Sequence, residues 1–315
     1  MIKIKQKFFI IFAIFLIATN VATLGFLVYK SRSESVKQFK NPYPLIDPAR
    51  SFIAQEHFFS TIEPMRKEMK RIVADYEKNG NRIGVYFEFL NTGANVSINQ
   101  DTRFWPASLS KMPTVFAAMK KIEKGEWKPA NELVLFSEDK DEQFGELYKK
   151  PSGTKFTIEE LLKQTLINSD NTSHRILVRN LSSEDYTDIF EALGMEELFD
   201  KNYDITAKEY SRIFRALYNA SYLNRENSQK ILTWLSQTSF NEFLKAGVPS
   251  EVLFSHKIGE AFEAKAFLDS GIVYVSERPY LITVMIEVEG GSGVEKAQEI
   301  MRELSKAAYT YVANN

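Results

Sequence analysis

The sequence predicts an α/β (α+β) domain: a five-stranded antiparallel sheet flanked by helices, with an all-helical subregion between the two halves of the sheet. Three observations carry this. Two strand-like segments lie early in the globular region, and three more lie near its end. Helical periodicity fills the residues between them. An amphipathic helix pattern opens the region and another closes it.

The elements follow in order along the 315 residues. Lys3, Lys5 and Lys7 precede an uncharged run from Phe8 to Tyr29. As a helix this run would extend roughly 33 Å at about 1.5 Å per residue, which matches the hydrocarbon thickness of a bilayer. It ends in Phe26, Leu27, Val28 and Tyr29, a poor context for signal cleavage. Residues 1–30 are therefore read as a cytoplasmic tail and a transmembrane signal anchor. The protein is expected at the cell membrane with a single pass and an extracytoplasmic domain, or secreted if the segment is cleaved. Residues 31–56, with Pro42, Pro44 and Pro48, read as an extended linker.

The domain is expected over 57–315. Residues 57–79 form a helical pattern through Phe58, Ile62, Met65, Met69, Ile72 and Val73. Strands follow at Ile83–Leu90 and Val96–Ile98, joined by a turn at Asn91-Thr92-Gly93-Ala94. A helix is expected from Ser108 to about Glu123. The middle reads as helices over 158–179, 184–193, 206–222 and 226–236. Strands are expected at 253–259, 269–276 and 280–288, and a last helix at 294–313. Short hairpins favour an antiparallel sheet closed by strands from both ends of the domain. The first and last helices would cover one face and the middle helices the other.

Composition narrows the function. A net charge of -1 gives no electrostatic basis for a nucleic-acid partner. The absence of cysteine removes thiolate nucleophiles, disulfides and Cys-ligated zinc. The three histidines, His57, His174 and His256, lack ligand spacing, so no metal is expected. Phosphate cradles and dinucleotide fingerprints are missing, and no cofactor is expected.

Three short motifs remain. In Ser108-Leu109-Ser110-Lys111, serine and lysine are i and i+3 at a helix start, so both point from one face. A serine hydroxyl needs a base, and burial can lower a lysine's pKa enough to supply one. The bland alternative for Ser108 is an N-cap. Ser169-Asp170-Asn171 offers a hydroxyl and an amide suited to passing a proton and holding a carbonyl; otherwise it is a capping turn between helices. In His256-Lys257-Ile258-Gly259, a lysine inside an apolar strand needs solvent or an anion, and Gly259 would allow close approach by a ligand. The alternative is an edge strand with a protective lysine.

Each motif alone is weak, but their order is not. S-x-x-K, then S-D-N 61 residues after Ser108, then K-x-G 88 residues after Ser169, resembles the class A β-lactamases and their relatives among the penicillin-binding proteins. The resemblance runs from about residue 60 to the end. It is supported by Phe104-Trp105-Pro106-Ala107, Pro151-Ser152-Gly153-Thr154 and the run Ala266 to Tyr274.

That resemblance implies a β-lactamase/transpeptidase-like fold and a serine hydrolase that forms an acyl-enzyme on Ser108. Lys111 would help deprotonate Ser108, and Ser169 would pass a proton to the leaving nitrogen. Asn171 would hold Lys111 and the substrate amide. Lys257 would meet the substrate carboxylate, beside Gly259. The backbone N–H groups of Ser108 and Glu260 would form the oxyanion hole.

The chain departs from the family pattern in two places. Ile258 stands where a hydroxyl residue is usual, and no E-x-x-L-N glutamate for deacylation follows S-D-N. Glu196 and Glu197 are the nearby glutamates and read as surface charges. Three functions follow: a hydrolase of β-lactams or related amides, a D-alanyl carboxypeptidase or transpeptidase acting on peptidoglycan peptides, and a non-catalytic sensor that kept the pocket.

Overall fold

The structure, a computed structural model, describes residues 19, 20, 45, 62–194, 203–290 and 293–314. Of the expected anchor, Thr19 and Asn20 are described and helical; the rest lies outside the described residues, as does the linker except for Leu45 and as do Glu196 and Glu197. Among the described residues, no helix is long and apolar enough to cross a membrane. The chain divides into two compact units, Met1–Pro42 and Tyr43–Asn315, and the second carries the fold.

In chain order, α1 (Glu63–Glu77) is followed by the hairpin β1 (Arg82–Phe89) and β2 (Asn95–Ile98), then the two-residue β3 (Arg103–Phe104). A 3-10 turn, Ala107–Ser110, leads into α2 (Lys111–Glu123). The middle holds β4 (Glu132–Val134), β5 (Lys155–Thr157), α3 (Ile158–Ile167), α4 (Asn171–Arg179), α5 (Glu184–Leu193), β6 (Ile205–Thr206), α6 (Ala207–Asn219) and α7 (Arg225–Leu235). The chain then returns through β7 (Phe254–Ala261), β8 (Ala266–Val273) and β9 (Tyr280–Glu287), and ends in α8 (Gly293–Asn314).

The sheet order is β2-β1-β9-β8-β7, antiparallel throughout. Alternation along the strands sorts two cores, because successive strand side chains face opposite ways. Tyr86, Leu268, Ile272, Leu281 and Met285 face the middle helices. Ile83, Val85, Phe87, Val273, Ile282, Val284 and Ile286 face α1 and α8, where they join Met65, Met69, Ile300 and Leu304. The expected five-stranded sheet and its two helical layers are both present.

Caps explain where the middle helices start. Thr157 accepts from the backbone N–H of Glu160, whose carboxylate accepts in return from the N–H of Thr157, and Thr206 and Glu209 repeat this reciprocal pair. The expected single helix over 158–179 is two helices, because Ser169 adopts the left-handed region at φ 51° and Asp170 is extended. The expected helix start at Ser108 is the 3-10 turn instead, entered through Ala107 at φ 47°. The short pairs β3–β6 and β4–β5 carry too few residues to show a period, and sequence reading missed them.

Leu45 is joined to the domain. Its side chain is buried in the core beneath the middle helices. Its N–H donates to Gln229 Oε1 at 2.8 Å, and its carbonyl accepts from Tyr274 O–H at 3.1 Å.

Candidate active site

The site assembles where the Ala107–Ser110 turn, the α3–α4 junction and β7 meet. The turn is pinned from below by the buried Tyr210, whose O–H donates to Leu109 O at 3.1 Å. Strand β7 can lie against it because residue 259 is glycine. A Cβ there would stand 2.9 Å from Pro106 O and 3.3 Å from Ala107 Cβ. The close approach expected of a ligand at Gly259 is thus made by the protein's own turn. It brings β7 beside Ser108, which is partly buried.

The α3–α4 junction is organised by Asp170, which is fully buried. Its Oδ1 accepts from Ser173 N–H at 2.7 Å and caps α4. Its Oδ2 accepts from the N–H groups of Glu146 at 2.7 Å and Leu147 at 3.0 Å. Gly145 makes room for this carboxylate: its φ is +92°, and a Cβ would fall 1.9 Å from Asp170 Oδ2. The capping turn considered as a bland reading of Ser-Asp-Asn is real, and it holds Ser169 and Asn171 toward Lys111. The left-handed backbone at Ala107 and Ser169 costs on the order of 1–3 kcal/mol at each position, so two of the chain's strained residues sit within the site.

Four polar side chains converge. Lys111 Nζ donates to the backbone carbonyl of Ser169 and, at 2.5 Å, to Asn171 Oδ1; it lies 3.2 Å from Ser169 Oγ. Lys257 Nζ donates to Ser169 Oγ at 2.8 Å and to Ile258 O at 3.3 Å. Lys111, Lys257 and Ser169 are buried. Burial pushes the Lys111 ammonium down to about 8, against the opposing pull of Asp170 and Asp141. Burial, and then the charge of Lys111, push Lys257 well below the usual lysine range.

The hydrogen-bond inventory says what this arrangement can do. A neutral amine has two N–H bonds and one lone pair. As an ammonium Lys111 also donates to Ser169 Oγ at 3.2 Å; once neutral, with Ser169 O and Asn171 Oδ1 taking its two N–H bonds, its lone pair faces that hydroxyl and can receive a proton. Ser169 Oγ accepts from Lys257, which leaves its own proton to be given away. The site thus holds a proton acceptor and a proton donor in contact with each other.

The remaining expected residues separate. Lys257 is buried although β7 is an edge strand, so it does not serve as a solvated edge charge. Ile258 is 3% exposed and packs into the core facing α1 and α8. Glu260 is partly buried at the end of β7; burial and Glu242 raise its carboxyl, and Lys257 opposes them. Among the described residues, no group of three or more His, Cys, Asp or Glu side chains could hold a metal ion.

Sequence reading missed Asp141, which sits in no motif. Its Oδ1 accepts from Asn171 Nδ2 at 2.9 Å. It also missed the pairing of Thr114 Oγ1 with His174 Nε2 at 2.9 Å, one turn beyond Lys111 and Asn171. The i+3 spacing of both residues from motif positions was the available signal. Burial first, then Lys111, Lys257 and Arg175, lower His174 to about 3.

The five-stranded antiparallel sheet with its helical subregion is of the β-lactamase and penicillin-binding-protein class of fold. The chain belongs to the beta-lactamase enzyme family, whose model (Beta-lactamase2) matches residues 64–312. Among curated proteins it is similar to beta-lactamase VEB-1 of Pseudomonas aeruginosa, 23% identical over 258 residues, covering 74% of this chain and 86% of that one. Among solved structures, PBP-A has a TM-score of 0.72 at 19% identity, covering 80% of this chain and 97% of its own. A variant of PBP-A was solved as an acyl-enzyme complex with penicillin G. A beta-lactamase from Sphaerobacter thermophilus DSM 20745 also has a TM-score of 0.72, at 21% identity, covering 78% and 97%.

Proposed function

We propose that the protein is a serine hydrolase that acts through an acyl-enzyme on Ser108, with β-lactams or related amides as substrates. The observation that carries this is the Lys111 amine, buried, held by Ser169 O and Asn171 Oδ1, with its pKa brought down to about 8. In this reading neutral Lys111 takes the Ser108 proton as the hydroxyl oxygen attacks the carbonyl carbon. The backbone N–H groups of Ser108 and Glu260 receive the oxyanion. As the C–N bond breaks, Ser169 gives its proton to the leaving nitrogen and is resupplied by Lys257 or Lys111. Lys257 also provides positive potential for a substrate carboxylate, and one hydrogen of Asn171 Nδ2 remains for the substrate carbonyl.

A second reading, a peptidoglycan D-alanyl carboxypeptidase or transpeptidase, is favoured by one observation. Ile258, at the position where related enzymes carry a hydroxyl, is turned into the core and offers nothing to an antibiotic carboxylate. The missing E-x-x-L-N glutamate agrees with it, since slow release is the trait of a penicillin-trapped protein. A sensor that keeps the pocket without turnover is the limiting case. On all three readings we place the domain outside the cell behind the Phe8–Tyr29 segment, on the strength of its length and of the lysines before it.

Intact mass spectrometry of the protein mixed with penicillin G, followed in time, tests the assignment. One drug mass on the wild type and none on Ser108→Ala supports it. Loss of that mass alongside opened drug marks a β-lactamase, and its persistence a penicillin-binding protein. An unmodified wild type beside unopened drug rules out β-lactam recognition.

A further inference from the structure

Asn171 is an amide with two chemically opposite ends, and each end has a charged neighbour. Oδ1 accepts from Lys111 Nζ at 2.5 Å, and Nδ2 donates to Asp141 Oδ1 at 2.9 Å. Turning the amide over would set its N–H groups against the Lys111 amine and its oxygen against a carboxylate. A carboxylate can only accept, so it permits one of the two orientations.

Asp141 is itself held. Its Oδ1 also accepts from the N–H of Gln143 at 3.0 Å, and its Oδ2 accepts from Arg175 Nη2 at 2.5 Å. Its backbone N–H donates to Thr172 Oγ1 at 3.0 Å. Arg175 lies one turn beyond Asn171 on α4, so the same helix supplies both the amide and the brace for the carboxylate. The Asp141 side chain is 11% exposed, so this contact is largely shielded from water.

We propose that Asp141 is a positioning residue, whose carboxylate locks the Asn171 amide so that Oδ1 faces Lys111 and one Nδ2 hydrogen stays available to substrate. The inference rests on the acyl-enzyme reading above. Burial alone would raise the Asp141 carboxyl, but the hydrogen bonds from Asn171 and Gln143, with Arg175 and Lys111, hold it below the usual range. It is therefore an anion at working pH. The charged and titratable groups around Lys111 are Asp141, Asp170 and His174 at or near α4, and Lys257 on β7. Asp141 is one of the two that favour the charged amine.

The test is a cycle of Asp141→Asn, Asn171→Ala and the double variant in the full-length protein. It is read as the acylation rate with penicillin G from pH 5.5 to 9.5. Losing an anchor bonded to a charged group should slow Asp141→Asn by roughly 10- to 100-fold at the plateau. Removing the anion should also move the pH midpoint down, because Lys111 then stays neutral at lower pH. In the Asn171→Ala background, Asp141→Asn should cost nothing further. An unchanged plateau, or an undiminished loss of plateau rate without Asn171, overturns the proposal. The Asn171 side-chain amide signal in 15N NMR, assigned by its loss in Asn171→Ala, provides a second readout without substrate. It should be exchange-protected in the wild type and lose that protection in Asp141→Asn; retained protection also overturns the proposal. If the wild type takes no adduct and opens no drug, the hydrolase reading falls, and the amide signal alone decides the role of Asp141.

Discussion

Lys111 and Lys257, 146 residues apart in sequence, meet at one hydroxyl: Ser169 Oγ lies 3.2 Å from the first amine and 2.8 Å from the second. Two ammonium groups so close in a buried site repel, and the loss of one proton relieves the strain. Burial brings the Lys111 amine down to about 8, and the charge of Lys111 adds to burial in lowering Lys257.

On the acyl-enzyme reading, this fixes the pH dependence of acylation. With Lys111 near 8, the fraction of neutral amine grows as pH rises, so the acylation rate should climb through a midpoint of about 8 and then level off. His174, lowered to about 3, should add no step between pH 5 and 7. Lys111→Ala should slow acylation by roughly 10²- to 10⁴-fold, the usual span for losing a general base. Stopped-flow acylation across pH checks all three. The same shift affects stability. Between about pH 8 and the ordinary lysine value of 10.5, the unfolded chain binds more protons at this residue than the folded one. The contribution of Lys111 to stability thus rises with pH through that window, which urea melts at pH 8 and 10 would detect.

Gly259→Ala should damage the site from behind. The new Cβ would press on Pro106 O, a backbone atom that cannot rotate away. Overpacking of this kind costs about 1–3 kcal/mol, and the relief available is to move β7 off the Ser108 turn. Lower acylation with a modest loss of melting temperature is the expected pair of results. Wild-type acylation in this variant would show that the strand spacing is unimportant.

Asp269 and His256 form a buried pair across β8 and β7, with Nδ1 3.0 Å from Oδ1, and Asp269 Oδ2 also accepts from Leu244 N–H at 3.1 Å. Asp269→Ala leaves both donors buried without an acceptor. It should cost about 1–3 kcal/mol for each orphaned donor in urea denaturation.

Leu45→Ala should destabilise the domain by about 2–4 kcal/mol, because a buried leucine leaves a cavity. Guanidinium melts of Leu45→Ala against wild type measure this. Equal midpoints would mean that the contact contributes nothing to the domain.

The architecture was legible in the sequence because strand and helix periods alternate in long blocks: Arg82–Phe89 and Tyr280–Glu287 are unmistakable as apolar β runs. The candidate site was legible for a different reason. Ser108, Lys111, Ser169, Asn171 and Lys257 lie in short motifs of fixed order, and Lys111, Ser169, Asn171 and Lys257 meet in the structure. What escaped was everything that depends on one residue's backbone or on a distant contact. Ser169 at φ 51° splits what helical periodicity joins, since the pattern on either side of it continues in phase. Gly259 invites a ligand in the sequence, but the Pro106 carbonyl 153 positions earlier fills the space. Asp141 touches Asn171 across 30 positions, and an aspartate in a charged loop carries no mark of that in one dimension.

The sheet order has a consequence for the birth of the protein. β1 pairs with β9 along its whole length, and Arg82 and Glu287 are 205 residues apart. At synthesis rates of about 5–20 residues per second, β1 waits roughly 10–40 s for that neighbour. Its hairpin partner β2 protects one edge meanwhile, while the other edge, an apolar Arg82-Ile83-Gly84-Val85-Tyr86-Phe87-Glu88-Phe89 strand, stays open to any chain nearby. Yield in the cell is then a race between elongation and mispairing, and a chain stalled before Tyr280 should remain fully protease-sensitive however stable the finished domain is.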